Sequence, residues 1–133
     1  MENENIKASS MPKFFETEVN EKETMEKLQP CVVQIMDFRI EDVPQYGEKV
    51  IVLCQHPDVK DKLIEISKVK YLQENALKTS GLWAKIDKDG KFPKNSAIGR
   101  MLAHIKTKNL TQSRGVNVPT ELDENGYLAI KAY

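Results

Sequence analysis

Apolar and polar residues alternate most clearly near the end of the chain. From Ser80 to Asp87, Leu82, Ala84 and Ile86 fall on one face and Trp83 and Lys85 on the other, which is the period of a half-buried strand. The final residues repeat the pattern, with Leu128, Ile130 and Ala132 pointing one way and Tyr127, Lys131 and Tyr133 the other. Between them, the run from Asn95 to Lys106 carries Ile98, Met101, Leu102 and Ile105 at helical spacing, with Asn95 or Ser96 available as an N-cap. Two strands therefore turn rings and lysines to solvent, and one short helix plugs an apolar space.

Upstream, the run from Cys31 to Ile40 is rich in β-branched and aromatic residues and reads as a strand. Val33 and Ile35 fall on one side of it, and Gln34, Met36 and Phe38 on the other, so neither face is cleanly polar. Such a strand is covered on both faces or bends between two packings. The turn cluster from Glu41 to Gly47 joins it to a second strand, from Glu48 to Gln55, as an antiparallel neighbour. The stretch from Val59 to Thr79 admits two readings. Val59, Leu63 and Ile66 have helical spacing, whereas the density of Ile and Val favours a third strand from Lys62 to Tyr71. After the helix, residues 110–115 read as a connector, and the strand from Gly115 to Leu122 has Pro119 marking an edge or a bulge. The polar, acidic start of the chain leads to a division into a flexible segment, residues 1–29, and a single domain, residues 30–133. Phe14 and Phe15 in that segment suit a docking arm or a lid over a basic site.

The formal net charge is zero, but it is unevenly spread. Residues 1–30 hold 4 basic and 7 acidic side chains, residues 31–67 again 4 and 7, and residues 68–133 hold 12 and 6. The basic final part predicts a basic functional face beside an acidic flank. No apolar run is long enough to cross a bilayer and the start lacks a signal-peptide core, so a cytoplasmic protein without membrane contact is expected.

Catalytic chemistry finds few candidates. His104 lies on or near the apolar stripe of the helix, and Cys31, Cys54 and His56 lack the spacing of a zinc module. The two acidic, glycine-closed turns at Asp87–Gly90 and Asp123–Gly126 lack the ligand ladder of a calcium loop. No glycine-rich phosphate cradle precedes the helix. The expectation is a protein without enzymatic activity, metal or cofactor.

The interleaving of rings with cations is what single-stranded nucleic acid requires, since bases stack on rings while lysines follow phosphates. Trp83 packed under another segment or subunit is the competing reading. The succession Gly81-Leu-Trp-Ala-Lys-Ile-Asp87, Asn95-Ser-Ala-Ile-Gly-Arg-Met-Leu102, Gly115-Val-Asn-Val118 and Gly126-Tyr-Leu-Ala-Ile130 resembles the OB-fold. In particular it resembles small single-stranded-DNA-binding or replication-accessory proteins of prokaryotic viruses and plasmids. The resemblance implies a mainly β protein, a five- or six-stranded antiparallel barrel with one short α-helix before the last two strands. It also implies a ligand strand held between the loops near Pro44–Tyr46 and Asp123–Asn125. In this reading Trp83 and Tyr127 stack bases, helped by Phe38 or Tyr46, while Lys85, Lys91, Lys94, Arg100 and Lys131 contact phosphates, with DNA ahead of RNA. The alternative is a protein-interaction or assembly module. It would use the same rings for a homo-oligomer, or the segment 1–29 for a protein partner.

Overall fold

The computed structural model describes residues 28–133. Residues 1–27 of the expected flexible segment, with the docking arm or lid at Phe14 and Phe15, lie outside them. Seven strands and two short helices follow in the order β1 (Val32–Val43), β2 (Gly47–His56), β3 (Val59–Ile66), β4 (Lys68–Gln73), β5 (Ala76–Gly81), α1 (Ala97–His104), α2 (Leu110–Ser113), β6 (Asn117–Leu122) and β7 (Leu128–Ala132). The strands form one mixed sheet in the order β3-β2-β1-β6-β7-β4-β5. Every neighbouring pair is antiparallel except β4 and β7.

The mainly β class is as expected, but the architecture differs from a five- or six-stranded antiparallel barrel with one helix. Among the described residues there are seven strands, one pair is parallel, strand ladders do not close the sheet into a barrel, and α2 adds a second helix. The cause lies in residues 59–81. The chain breaks at Ser67, between β3 and β4, and reverses at Glu74 and Asn75, whose φ values of +52° and +70° make a tight hairpin without a glycine. The one strand expected from Lys62 to Tyr71 is therefore two, β3 and β4, and β5 follows as a strand that was not expected. The expected strand from Ser80 to Asp87 is shorter too: regular pairing stops at Gly81, and Trp83 forms only an isolated bridge with Lys49. Around that bridge Val50 N–H donates to the Leu82 carbonyl and Ala84 N–H to the Glu48 carbonyl, each at 2.8 Å. These bonds link the chain leaving β5, at one end of the strand order, to β2 near the other.

The sheet curls around its core because the alternating apolar residues of each strand must leave water together. Val33 and Ile35 of β1, Val50, Val52 and Cys54 of β2, Ile66, Val69, Val118 and Ile130 are almost fully buried there, together with Leu82. A bulge at Met36 shifts the β1–β2 register between Ile35 and Asp37. It turns Phe38 to the core side opposite Val52, where it packs partly buried. Beyond the bulge β1 pairs only with β2, because its contact with β6 is confined to Val32–Gln34. The distal halves of β1 and β2 therefore form an arm with Tyr46 in its turn, held on its β2 side by the bonds from Leu82 and Ala84.

Helix α1 packs against β4 and β7 through Ile98, Met101 and Leu102. Ser96 caps it, its Oγ accepting from Gly99 N–H at 3.0 Å and donating to the Pro93 carbonyl at 2.6 Å. Ser96→Ala is expected to cost about 1 kcal/mol, measured as a lower urea midpoint with an unchanged slope. The helix ends where Lys106 takes a φ of +63° and Thr107 N–H reaches back to the Leu102 carbonyl at 3.0 Å.

Candidate nucleic-acid interface

The turn of the arm places Tyr46 at its tip, 67% exposed, with Tyr46 N–H held by the Val43 carbonyl at 3.0 Å. The bridge between Lys49 and Trp83 fixes the indole beside it. The two ring centroids are 6.3 Å apart and their planes 38° apart, and Lys49 Nζ lies 5.5 Å from the Trp83 ring. Gly81 suits this arrangement. A Cβ there would stand 3.0 Å from Lys49 Cε and 3.1 Å from Trp83 Nε1, so an added side chain would make both shift by a few tenths of an ångström from their place over β5.

A row of lysines leads away from this pair. In register, Lys131 of β7 stands beside Lys70 of β4, which stands beside Thr79 of β5, and Lys68 stands beside Gly81. Paired residues share a face, and Val69 and Ile130 point to the core, so Lys68, Lys70 and Lys131 lie on the outer surface. Two of them are held by carboxylates, Lys70 by Glu121 at 3.1 Å and Lys68 by Asp123 at 3.3 Å. Lys131 Nζ sits 4.9 Å from the Tyr133 ring, and the Tyr133 hydroxyl donates to Glu121. The Tyr133 hydroxyl and Lys70 together keep the Glu121 carboxyl below its usual range, and Glu121 in turn raises the Tyr133 phenol.

At the ends of β4 and β7, on the side that α1 packs against, lies a cleft of about 440 Å³ lined by Tyr71, Lys94, Asn95, Arg100, His104 and Tyr133, among others. The Arg100 guanidinium lies 5.1 Å from the Tyr71 ring, with Nη1 donating to the Leu72 carbonyl at 3.1 Å and Nε to the Asn95 carbonyl at 3.3 Å.

The residues expected to bind nucleic acid thus divide. Tyr46 and Trp83 meet, and Lys85 follows exposed two residues on. Lys94 and Arg100 share the cleft, and Lys131 lies between the two groups. Lys91 is exposed in the turn after Asp87, to which its N–H donates at 3.1 Å. Phe38 faces the core side. Tyr127 lines a different cavity, of about 480 Å³, between the edge of β3 and the β6–β7 turn. Lys49, Lys68, Lys70 and Tyr71 were not anticipated. Lys68 and Lys70 flank Val69 in strand alternation within the strand expected from Lys62 to Tyr71, so their shared face was legible, whereas the neighbours that face meets were not.

The cysteines and His56 are organised differently. His56 is wholly buried, and its Nδ1 accepts from Asp58 N–H at 3.0 Å. The ring proton is therefore on Nε2, which lies 3.1 Å from the Gln29 carbonyl and 3.2 Å from Cys31 Sγ. A protonated Nε2 is no base for that thiol. Burial, then the Asp58 charge, push the Cys31 thiol up, and burial pushes Cys54 up to about 12, so both stay in the unreactive protonated form. Among the described residues no three His, Cys, Asp or Glu side chains are gathered to hold a metal, and no helix is long and apolar enough to cross a membrane.

Compared with known proteins, the chain matches no family model, no curated protein and no solved structure.

Proposed function

We propose that this protein binds single-stranded nucleic acid without chemical conversion, on the outer face of a curled, OB-type sheet. The observation that carries the reading is the solvent-facing Tyr46–Trp83 pair with Lys49 against it, at the head of the Lys68, Lys70 and Lys131 row. Bases stack on the rings and the backbone crosses the strands over the low floor formed by Thr79 and Gly81. Support for the OB-type assignment comes from three features. β3 and β4 are nearly one strand bent at Ser67, β4 runs parallel to β7, and the helices precede the last two strands. The carboxylates paired with Lys68 and Lys70 account for a basic track in a chain of zero net charge, since they hold the lysines until phosphates replace them.

Trp83 is the only tryptophan, so its fluorescence reports the site directly. An unstructured oligonucleotide is expected to change it, with log affinity falling against log salt at a slope of roughly −2 to −3, as four lysine–phosphate contacts predict. Trp83→Ala is expected to weaken binding, followed by anisotropy of a labelled strand, by about 5- to 100-fold, equivalent to losing one stacked base. Absence of binding at low salt rules the proposal out.

One observation favours a protein-interaction module instead. Leu72 and Leu77 stand opposite each other near the tip of the β4–β5 hairpin, each 48% exposed, and a mass that rises with concentration while no oligonucleotide binds would select that reading.

A further inference from the structure

The chain has three arginines. Two are neutralised on the surface, Arg39 by Glu65 and Arg114 by Asp37, each at 2.8 Å. Arg100 is treated differently. Its guanidinium is fixed by two main-chain carbonyls and lies against the Tyr71 ring, and no carboxylate among the described residues pairs with it. Carbonyls orient a guanidinium without cancelling its charge, and Nη2 is left to donate to something else.

The surroundings agree. Lys94 and His104 line the same cleft, Asn95 adds an amide, and no Asp or Glu lines it. The cavity beside Tyr127, by contrast, has Glu65 and Asp123 on its walls. Tyr71 brings its ring to the cleft against Arg100, and Tyr133 lines the margin with its own ring beside Lys131 of the lysine row. The cleft therefore combines concentrated positive charge, an unused donor held in a fixed direction, and flat apolar surface.

A phosphodiester inside a strand carries one negative charge, whereas a phosphate monoester carries about 1.5 to 2 at neutral pH and offers three acceptor oxygens. The second fits a site with Arg100, Lys94 and His104 better than the first, which the lysine row already serves. We infer that the cleft between α1, β4 and Tyr133 is a pocket for a nucleotide bearing a phosphate monoester, the phosphorylated end of the bound strand. This inference rests on the nucleic-acid reading above. A pre-oriented guanidinium meets the terminal oxygens while the terminal base lies against Tyr71 at the margin of the cleft.

The test compares one oligonucleotide with hydroxyl ends, with a 5′-phosphate and with a 3′-phosphate, alongside the corresponding mononucleotide, each titrated against the full chain. One phosphorylated strand is expected to bind about tenfold more tightly than the hydroxyl-ended one, as charge-assisted hydrogen bonds to a single added group allow. Arg100→Gln is expected to bring that ratio close to one, and the exposed Lys94→Gln to reduce it several-fold, which keeps the test open if the first variant folds poorly. Trp83→Ala should weaken all strands alike and leave the ratio intact. Equal binding of all three strands overturns the pocket and leaves the nucleic-acid reading standing, as does a ratio that survives both Arg100→Gln and Lys94→Gln. If no strand binds, Arg100-dependent binding of the mononucleotide keeps the pocket while the strand-binding reading falls, and its absence removes both.

Discussion

Asp123→Ala is expected to lower the stability of the domain by about 2–4 kcal/mol, seen as an earlier urea midpoint at neutral pH. Asp123 lies beside an exposed turn, yet its side chain is almost completely covered. Oδ1 accepts from Asn125 N–H and from Tyr127 N–H, both at 2.9 Å, and Oδ2 from Lys68 Nζ at 3.3 Å. Its own N–H donates to the Tyr127 carbonyl at 2.7 Å. Removing the carboxylate leaves two main-chain donors without an acceptor and the lysine without its counterion. Asp123→Asn keeps an oxygen for the turn and loses only the charge, so its cost should be smaller. Burial by itself would raise this carboxyl, but the Tyr127 and Asn125 amides and Lys68 override it and hold the group below the ordinary 3.8. A value depressed by folding means that the stabilisation is complete above the unfolded carboxyl value and is lost as acid carries the pH down through the folded one. The gap between the natural protein and Asp123→Asn should therefore persist above the ordinary carboxyl value and close as the pH falls below the depressed, folded one. A gap of equal size at neutral pH and in strong acid would show that the charge plays no part.

Gly99→Ala is expected to destabilise the protein by about 2–3 kcal/mol, although the same change in an open helix would stabilise it by roughly 1 kcal/mol. The reversal of sign has a geometric source. A Cβ on Gly99 would lie 2.3 Å from the Pro93 carbonyl oxygen and 3.0 Å from Lys94 Cα, and both are main-chain atoms that cannot swing aside. The Pro93 carbonyl also receives Ser96 N–H at 3.0 Å and Ser96 Oγ at 2.6 Å. One methyl group would therefore push the incoming chain off the helix and disturb its cap together. Thermal unfolding should show a midpoint lower by at least about 8 °C. A midpoint that rises or stays put would mean that the helix and the Pro93–Lys94 chain do not approach this closely.

Helix α1 was legible because Ile98, Met101, Leu102 and Ile105 define one stripe and Ser96 precedes it. The β1–β2 and β6–β7 hairpins were legible because turn residues separate two alternating runs. What escaped was every feature set by a single unusual backbone geometry. The bulge at Met36 carries no signal in residue type, and it turned Phe38 from a candidate stacking ring into a flank of the core. The reversal at Glu74–Asn75 lacks the glycine that marks such turns, so the β4–β5 hairpin leaves no mark in the sequence, and the break at Ser67 leaves none between β3 and β4. The candidate site was legible as a composition of rings and cations and not as an arrangement. Trp83 and Tyr127 occupy similar places in similar alternations. Strand order alone puts one beside Tyr46 and the other beside Asp123, and that order depends on the parallel β4–β7 pairing, which no local pattern encodes.

The β1–β2 arm has a mechanical consequence. The main-chain bonds on both sides of the Trp83 bridge are made to Glu48 and Val50 of β2, so the arm is clamped two residues from Tyr46 and only its turn lies beyond the clamp. A two-stranded ribbon bends more easily than a packed core yields. Any bending of the ribbon therefore carries tyrosine and indole together, and their spacing is set by the short turn that the Tyr46–Val43 bond closes.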